Sequence, residues 1–361
     1  MIMKKYLLMF LIIVASLYLN NMHAKNYAIL VSAGQTVDET DQINATYWYD
    51  LYLAYETLLN QADYDSTNVF VFYGDGNDYN SRRNRYKLEY NSWGSITDYD
   101  NSYETLDSVM TKLGDVITYD DNFLFYWVAG HANCNGTPDT YTLAIENQDT
   151  IIDKESIIKV VDKIDKYKRR KILWMTCYSG AIGFGEKSLL NDKTVILTSS
   201  NYNNLSFPFT DTNGEHHSTF NFAVYSLLQC SFPNGQSCTI DSVTHNRVTN
   251  IDGLLSFYEL YKGIDNFNYK DKITSISFPM INPITPRLFS LNNMAHDIFL
   301  NENNNIVNVN LENEIFSYRM DRVRINNVSL RDTSFISFNA DDNFVIDNSF
   351  FVESGSTLII K

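Results

Sequence analysis

Lys171-Ile172-Leu173-Trp174-Met175-Thr176-Cys177-Tyr178-Ser179-Gly180 decides how this chain is read, because a short apolar run breaks off at a cysteine followed by a glycine turn. An apolar run of this length without alternation reads as a strand buried on both faces. The same pattern recurs along the chain. Asn26 to Ser32 stops at Ala33-Gly34, Val69 to Tyr73 at Gly74-Asp75-Gly76, Phe123 to Val128 at Ala129-Gly130-His131, and Thr194 to Leu197 at Thr198-Ser199-Ser200. Between the runs lie stretches of helical character: Tyr47 to Gln61, Tyr103 to Val116 behind an Asn101 cap with Glu104 three residues on, and Lys154 to Tyr167 behind Asp153. Strand and helix in alternation predict an α/β fold, a mostly parallel sheet covered on both faces. Such sheets bind ligands at the carboxyl ends of their strands, and His131 and Cys177 both stand just past such an end.

The 361 residues are 44% hydrophobic and 14% aromatic, which excludes a disordered or fibrous chain and allows one large domain with a small one. Lys and Arg number 28 against 43 Asp and Glu, a net charge of −15 that repels polyphosphate and anionic lipid, so no nucleic-acid partner is expected. At the start, Lys4-Lys5 precede an apolar run from Tyr6 to Leu19 and a polar stretch to Ala24, the layout of a secretory signal over residues 1–24. Export to a periplasmic, cell-surface or extracellular location follows, with no stable membrane insertion after cleavage. A retained anchor is the alternative, although about 14 apolar residues are short for a span.

In an oxidising compartment, Cys230 and Cys238, which flank a turn-rich segment, are expected to form a disulfide, against two separate thiols. Residues 25–291 read as the main domain, within which the polar stretch from Gly76 to Asp100 is a surface loop near the active face. After the Asn-rich junction Asn301 to Asn305 the pattern becomes alternating, so residues 292–361 read as a small all-β module.

Cys177 at an exposed strand end has the placement of a nucleophile, and His131, forty-six residues earlier at the end of a neighbouring strand, that of its base. The backbone N–H groups of Ala132 and Cys177 would then bind an oxyanion. The alternative is a buried strand-end thiol and a turn histidine. Asn250-Ile251-Asp252-Gly253 with Glu259 matches part of a calcium loop, but its first ligand position is Val248, so it reads as a helix cap. The pair His216-His217 and lone His245 lack a companion ligand pattern, and no metal is expected.

The three strand ends together resemble the core strands of the legumain-like cysteine peptidases, within the wider group that has a caspase-like fold. The resemblance covers roughly residues 26–290 and is specific at the strand ends. It implies a caspase-like three-layer sandwich, with Cys177 as nucleophile and His131 as general base and acid. The family's first helix opens with an Asn and carries an Asp six residues later, a spacing held by Asn44 and Asp50, and Asn44 is implied as an orienter of the imidazole. Thr198-Ser199-Ser200-Asn201 and Leu205-Ser206-Phe207 resemble the next strand and the substrate loop. The alignment implies a substrate pocket of Thr46, Met175, Ser206 and Ser218. Three departures matter: His131-Ala132 stands for the usual His-Gly, Thr46-Tyr47 for the Arg-His pair of Asn-specific members, and Met175 for an acidic residue. The chemistry is retained and the specificity does not transfer. The expectation is an exported cysteine endopeptidase acting on protein or peptide through an acyl-enzyme, without a cofactor. A transpeptidase of the same fold and an inactive binding or adhesion protein are the alternatives.

Overall fold

The computed structural model describes residues 24–34, 42–61, 64–79, 94–145, 150–211, 216–229, 255–256, 260–261, 264, 273–276, 287–290, 298–300, 305–312, 315–331, 335–346, 350–352 and 356–360. The apolar run of the signal, the expected Cys230–Cys238 disulfide, the motif residues Asn250, Asp252, Gly253 and Glu259, His245 and most of the polar 76–100 loop lie outside the described residues. Leu255 and Ser256, expected in the helix behind that motif's cap, form a strand instead.

The elements run β1 (Asn26–Ser32), α1 (Gln42–Gln61), β2 (Val69–Tyr73), α2 (Tyr103–Val116), β3 (Asn122–Ala129), β4 (Ala132–Asn133), β5 (Thr142–Ile145), β6 (Thr150–Asp153), α3 (Lys154–Val161), β7 (Arg169–Trp174), β8 (Thr194–Thr198), β9 (Pro208–Asp211), β10 (His216–Ser218), α4 (Thr219–Gln229), β11 (Leu255–Ser256), β12 (Ile273–Ile276), β13 (Arg287–Ser290) and β14 (Ile298–Leu300). Six of these strands form the central sheet in the order β13-β8-β7-β3-β1-β2. All its pairs are parallel except β13 on β8, which closes one edge antiparallel.

Burial on both faces explains the unbroken apolar runs. Successive side chains of β1 alternate between two cores: Ala28 and Leu30 join Trp48, Tyr52 and Phe222 from α1 and α4, while Tyr27, Ile29 and Val31 join Met110, Ile157 and Val160 from α2 and α3. Phe125, Trp127 and Trp174 stack across β3 and β7, with the two indoles 5.3 Å apart. The mixed α/β class and the mostly parallel sheet inferred from the sequence are what the structure shows. One local expectation fails. The cap of α2 is Ser102, whose Oγ accepts from the Thr105 N–H, while the Asn101 amide donates to the Ser32 and Gly34 carbonyls at 2.9 and 3.0 Å. A side chain that can tie two loop carbonyls is used there, and a neighbouring hydroxyl caps the helix. Asp153 does cap α3, accepting from the Ser156 N–H, but the helix stops at Val161.

Beyond β14, which pairs with β11, come β15 (Asn305–Glu312), β16 (Ile315–Arg331), β17 (Phe335–Ile346), β18 (Phe350–Val352) and β19 (Thr357–Ile360). Their pairing is wholly parallel: Asn305 faces Arg324, Ile315 faces Phe335, Val328 faces Phe350, and Phe335 faces Thr357. Each residue therefore meets one about 20 positions further on, so the chain coils and stacks each turn on the last, as in solenoid repeats. The alternation in the sequence reveals strands but not this spacing, since either strand direction gives period two. Among the described residues no helix is long and apolar enough to cross a membrane.

Candidate active site

β3 and β7 are neighbours in register, Trp127 facing Trp174, and the Met175 N–H extends the ladder by donating to the Trp127 carbonyl at 2.8 Å. His131 lies two residues past β3 and Cys177 three past β7, so both emerge at the same carboxyl edge. The turn carrying Cys177 is held on several sides. Tyr178 adopts φ 56°, ψ 19°, a left-handed conformation that costs a side-chain-bearing residue about 1–2 kcal/mol. Its N–H donates to the Asn204 carbonyl at 2.8 Å, and the Gly180 N–H to the Ser200 carbonyl at 2.9 Å. From below, the Trp174 indole N–H donates to Tyr141 Oη, Tyr141 is 2.8 Å from Thr176 Oγ1, and Thr176 Oγ1 donates to the Cys177 carbonyl. Burial raises the Tyr141 phenol far above its ordinary range, so it stays a neutral donor to Thr176.

Gly180 has no room for a side chain: a Cβ would stand 2.9 Å from the Ser200 carbonyl oxygen and the Tyr202 nitrogen, both backbone atoms. Gly180→Ala is expected to cost about 1–3 kcal/mol by displacing the loop after β8 or the cysteine turn. Thermal denaturation measures it, and a variant as stable as the parent would show that the two segments separate freely.

Cys177 is partly exposed, and its Sγ donates to the Ser206 carbonyl at 3.5 Å. Burial pushes the thiol up from its ordinary range, so in this state it is protonated at neutral pH. His131 is exposed, and its Nε2 lies 3.4 Å from Tyr47 Oη. Its carbonyl accepts the Ala144 N–H at 2.9 Å on the β5 side. In a trans peptide the C=O and the following N–H point opposite ways, so the Ala132 N–H is turned away from β5. Cys134, the other free thiol among the described residues, is buried and its Sγ donates to the Thr137 carbonyl at 3.1 Å.

Asn44 lies in the first turn of α1, with its side chain outside the described residues. The four residues aligned with the substrate pocket are all buried: Thr46, Met175, Ser206 and Ser218. Ser206 is the residue whose carbonyl meets Cys177, and its own hydroxyl is buried with no hydrogen-bond partner among the described residues. Ser218 is tied to Asp50, which sits one helical turn beyond Thr46.

Asp50 stands out in the sequence only by its spacing from Asn44. It is wholly buried, its carboxylate accepting from His217 Nδ1 at 3.2 Å, the Ser218 N–H at 3.0 Å and the Asn221 amide at 2.9 Å. Asn221 also donates to the Val128 carbonyl and accepts from Tyr126 Oη at 2.6 Å, and Tyr225 Oη donates to the Asp50 carbonyl. His217, considered above as half of a metal pair, is thus engaged with Asp50, and His216 Nδ1 is 3.2 Å from Thr210 Oγ1. A polar residue amid the buried aromatic face of α1 was the one available signal of this network.

Among solved structures the chain is similar to pro-sf-caspase-1, with a TM-score of 0.40 and 12% identity over 74% of this chain and 91% of that one. No protein-family model and no curated protein matches the sequence. The functional reading therefore rests on the residues.

Proposed function

We propose that the chain is an exported cysteine endopeptidase of the legumain-like type, hydrolysing peptide bonds with Cys177 and His131. The observation that carries this reading is the emergence of both residues at one carboxyl edge of neighbouring strands, with the Ala132 N–H turned away from β5 beside them. The thiol proton passes to His131 as Sγ attacks the substrate carbonyl, and the Ala132 and Cys177 N–H groups receive the oxyanion. The amine leaves with the proton held by His131, and water, deprotonated by the same imidazole, releases the acid. Incubating the purified protein with a proteome-derived peptide library is expected to yield internal cleavages that stop when a thiol-reactive probe occupies Cys177. Cleavage that persists with Cys177 fully modified would assign the activity elsewhere.

The residue preceding the cleaved bond should be uncharged. Thr46, Met175, Ser206 and Ser218 carry no charge, and the nearby Asp50 carboxylate already accepts from three donors. A buried ionic side chain would lose hydration worth on the order of several kcal/mol without a partner. The check is kcat/KM across peptides that differ only at that position; a clear preference for Arg, Lys or Asp would refute it. For export, the secreted protein is expected to begin at Lys25, which N-terminal sequencing reads directly.

A further inference from the structure

We propose that Tyr47 is a positioning residue for the His131 imidazole, a role that rests on the peptidase reading above. The Tyr47 hydroxyl is 3.4 Å from His131 Nε2, and the two rings meet edge-on, 6.2 Å apart at 66°. The two partners are unequally held. Tyr47 is 8% exposed, belongs to α1, and its carbonyl accepts from Ser32 Oγ at 3.3 Å. Gly34 makes room for it, since a Cβ there would stand 2.9 Å from Tyr47 Cβ. His131, by contrast, is exposed past the end of a strand. A fixed phenol thus meets one nitrogen of an imidazole that has solvent around it.

The two ring nitrogens point to different sides of the imidazole, and whichever is held decides which is left for chemistry. With Nε2–H donating to Tyr47 Oη, Nδ1 keeps its lone pair. It can take the Cys177 proton as the carbon–sulfur bond forms, giving an imidazolium whose Nε2–H still donates to Oη. The Nδ1 proton then goes to the departing amine, and the ring returns to its starting tautomer. No proton is transferred to Tyr47, which acts only by selecting and orienting the ring. The family resemblance assigns such a role to the residue at Asn44, and Tyr47 stands one helical turn further along α1.

The test is Tyr47→Phe in the full chain, which keeps the ring and removes the hydroxyl. The expected result is a fall in kcat of about 10- to 100-fold, part of what a well-placed general base supplies, with KM changed less than about twofold and the thermal transition unmoved. Nitrogen-15 spectra of the histidine ring, assigned by comparison with His131→Ala, should show the Nε2–H tautomer in the parent and a redistribution in Tyr47→Phe. A kcat within about twofold of the parent, or an Nδ1–H tautomer in the parent, would overturn the proposal. If the parent cleaves no peptide, the peptidase reading fails, and the ring spectra still decide whether Tyr47 sets the tautomer.

Discussion

Cys177→Ala is expected to lower peptide cleavage by a factor on the order of 10³ or more, and His131→Ala by a similar factor, each with little change in the thermal transition. The stability half of this expectation follows from what the side chains hold. Cys177 Sγ makes a long hydrogen bond to the Ser206 carbonyl, and the turn around it is fixed by the backbone bonds of Tyr178 and Gly180 and by Thr176, all of which survive the substitution. His131 is exposed, and its backbone bond to Ala144 does not depend on the ring. The catalytic half follows from mutual dependence: a thiol whose pKa is raised by burial is a poor nucleophile until a base removes its proton, and a base without the thiol has nothing to activate. The double variant should therefore be no slower than the worse single one. Steady-state rates on one cleavable peptide, beside calorimetry of the same samples, decide the matter. Retention of more than a few per cent of turnover in Cys177→Ala would remove Cys177 from the reaction.

How much of this was legible in the sequence depended on the range of the forces involved. The strands were readable because burial on both faces writes itself as an unbroken apolar run, as in Phe123 to Val128, and a turn glycine follows most of them. Cys177 and His131 were readable because a reactive side chain directly after such a run can only emerge at the sheet's edge. Less local arrangements were not. Asp50 and His217 are 167 positions apart, and nothing near either residue announces the partner. Tyr47 was visible only as a departure from a family pattern; its meeting with His131 spans 84 positions and depends on how α1 packs. The coil formed by β15 to β19 was hidden for another reason. Its repeat of about 20 residues is carried by backbone pairing, while its side chains vary from turn to turn, as with Asn305 against Arg324.

Asp50→Ala is expected to destabilise the fold by about 3–5 kcal/mol, because the carboxylate is the shared acceptor of a buried network and its loss leaves several donors unsatisfied at once. His217 Nδ1, the Ser218 N–H and one N–H of the Asn221 amide would all face a cavity. Water could enter only if the surrounding aromatic packing opened, and that packing includes Trp48, Tyr52, Phe222 and Tyr225, all buried in the same core. At about 2–4 °C per kcal/mol for a sizeable domain, the transition should fall by roughly 10 °C. Asp50→Asn is nearly isosteric but turns an amide donor toward groups that are themselves donors, so it should recover only part of the loss. The network also reaches the site. Asn221 bridges Asp50 to the Val128 carbonyl, three residues before His131, and Ser218 leads from Asp50 into α4. Cleavage by Asp50→Ala, measured well below its own transition, should therefore be impaired as well. A shift of less than about 2 °C would mean that the three donors find other acceptors, and that α1 and α4 are held together by their apolar contacts alone.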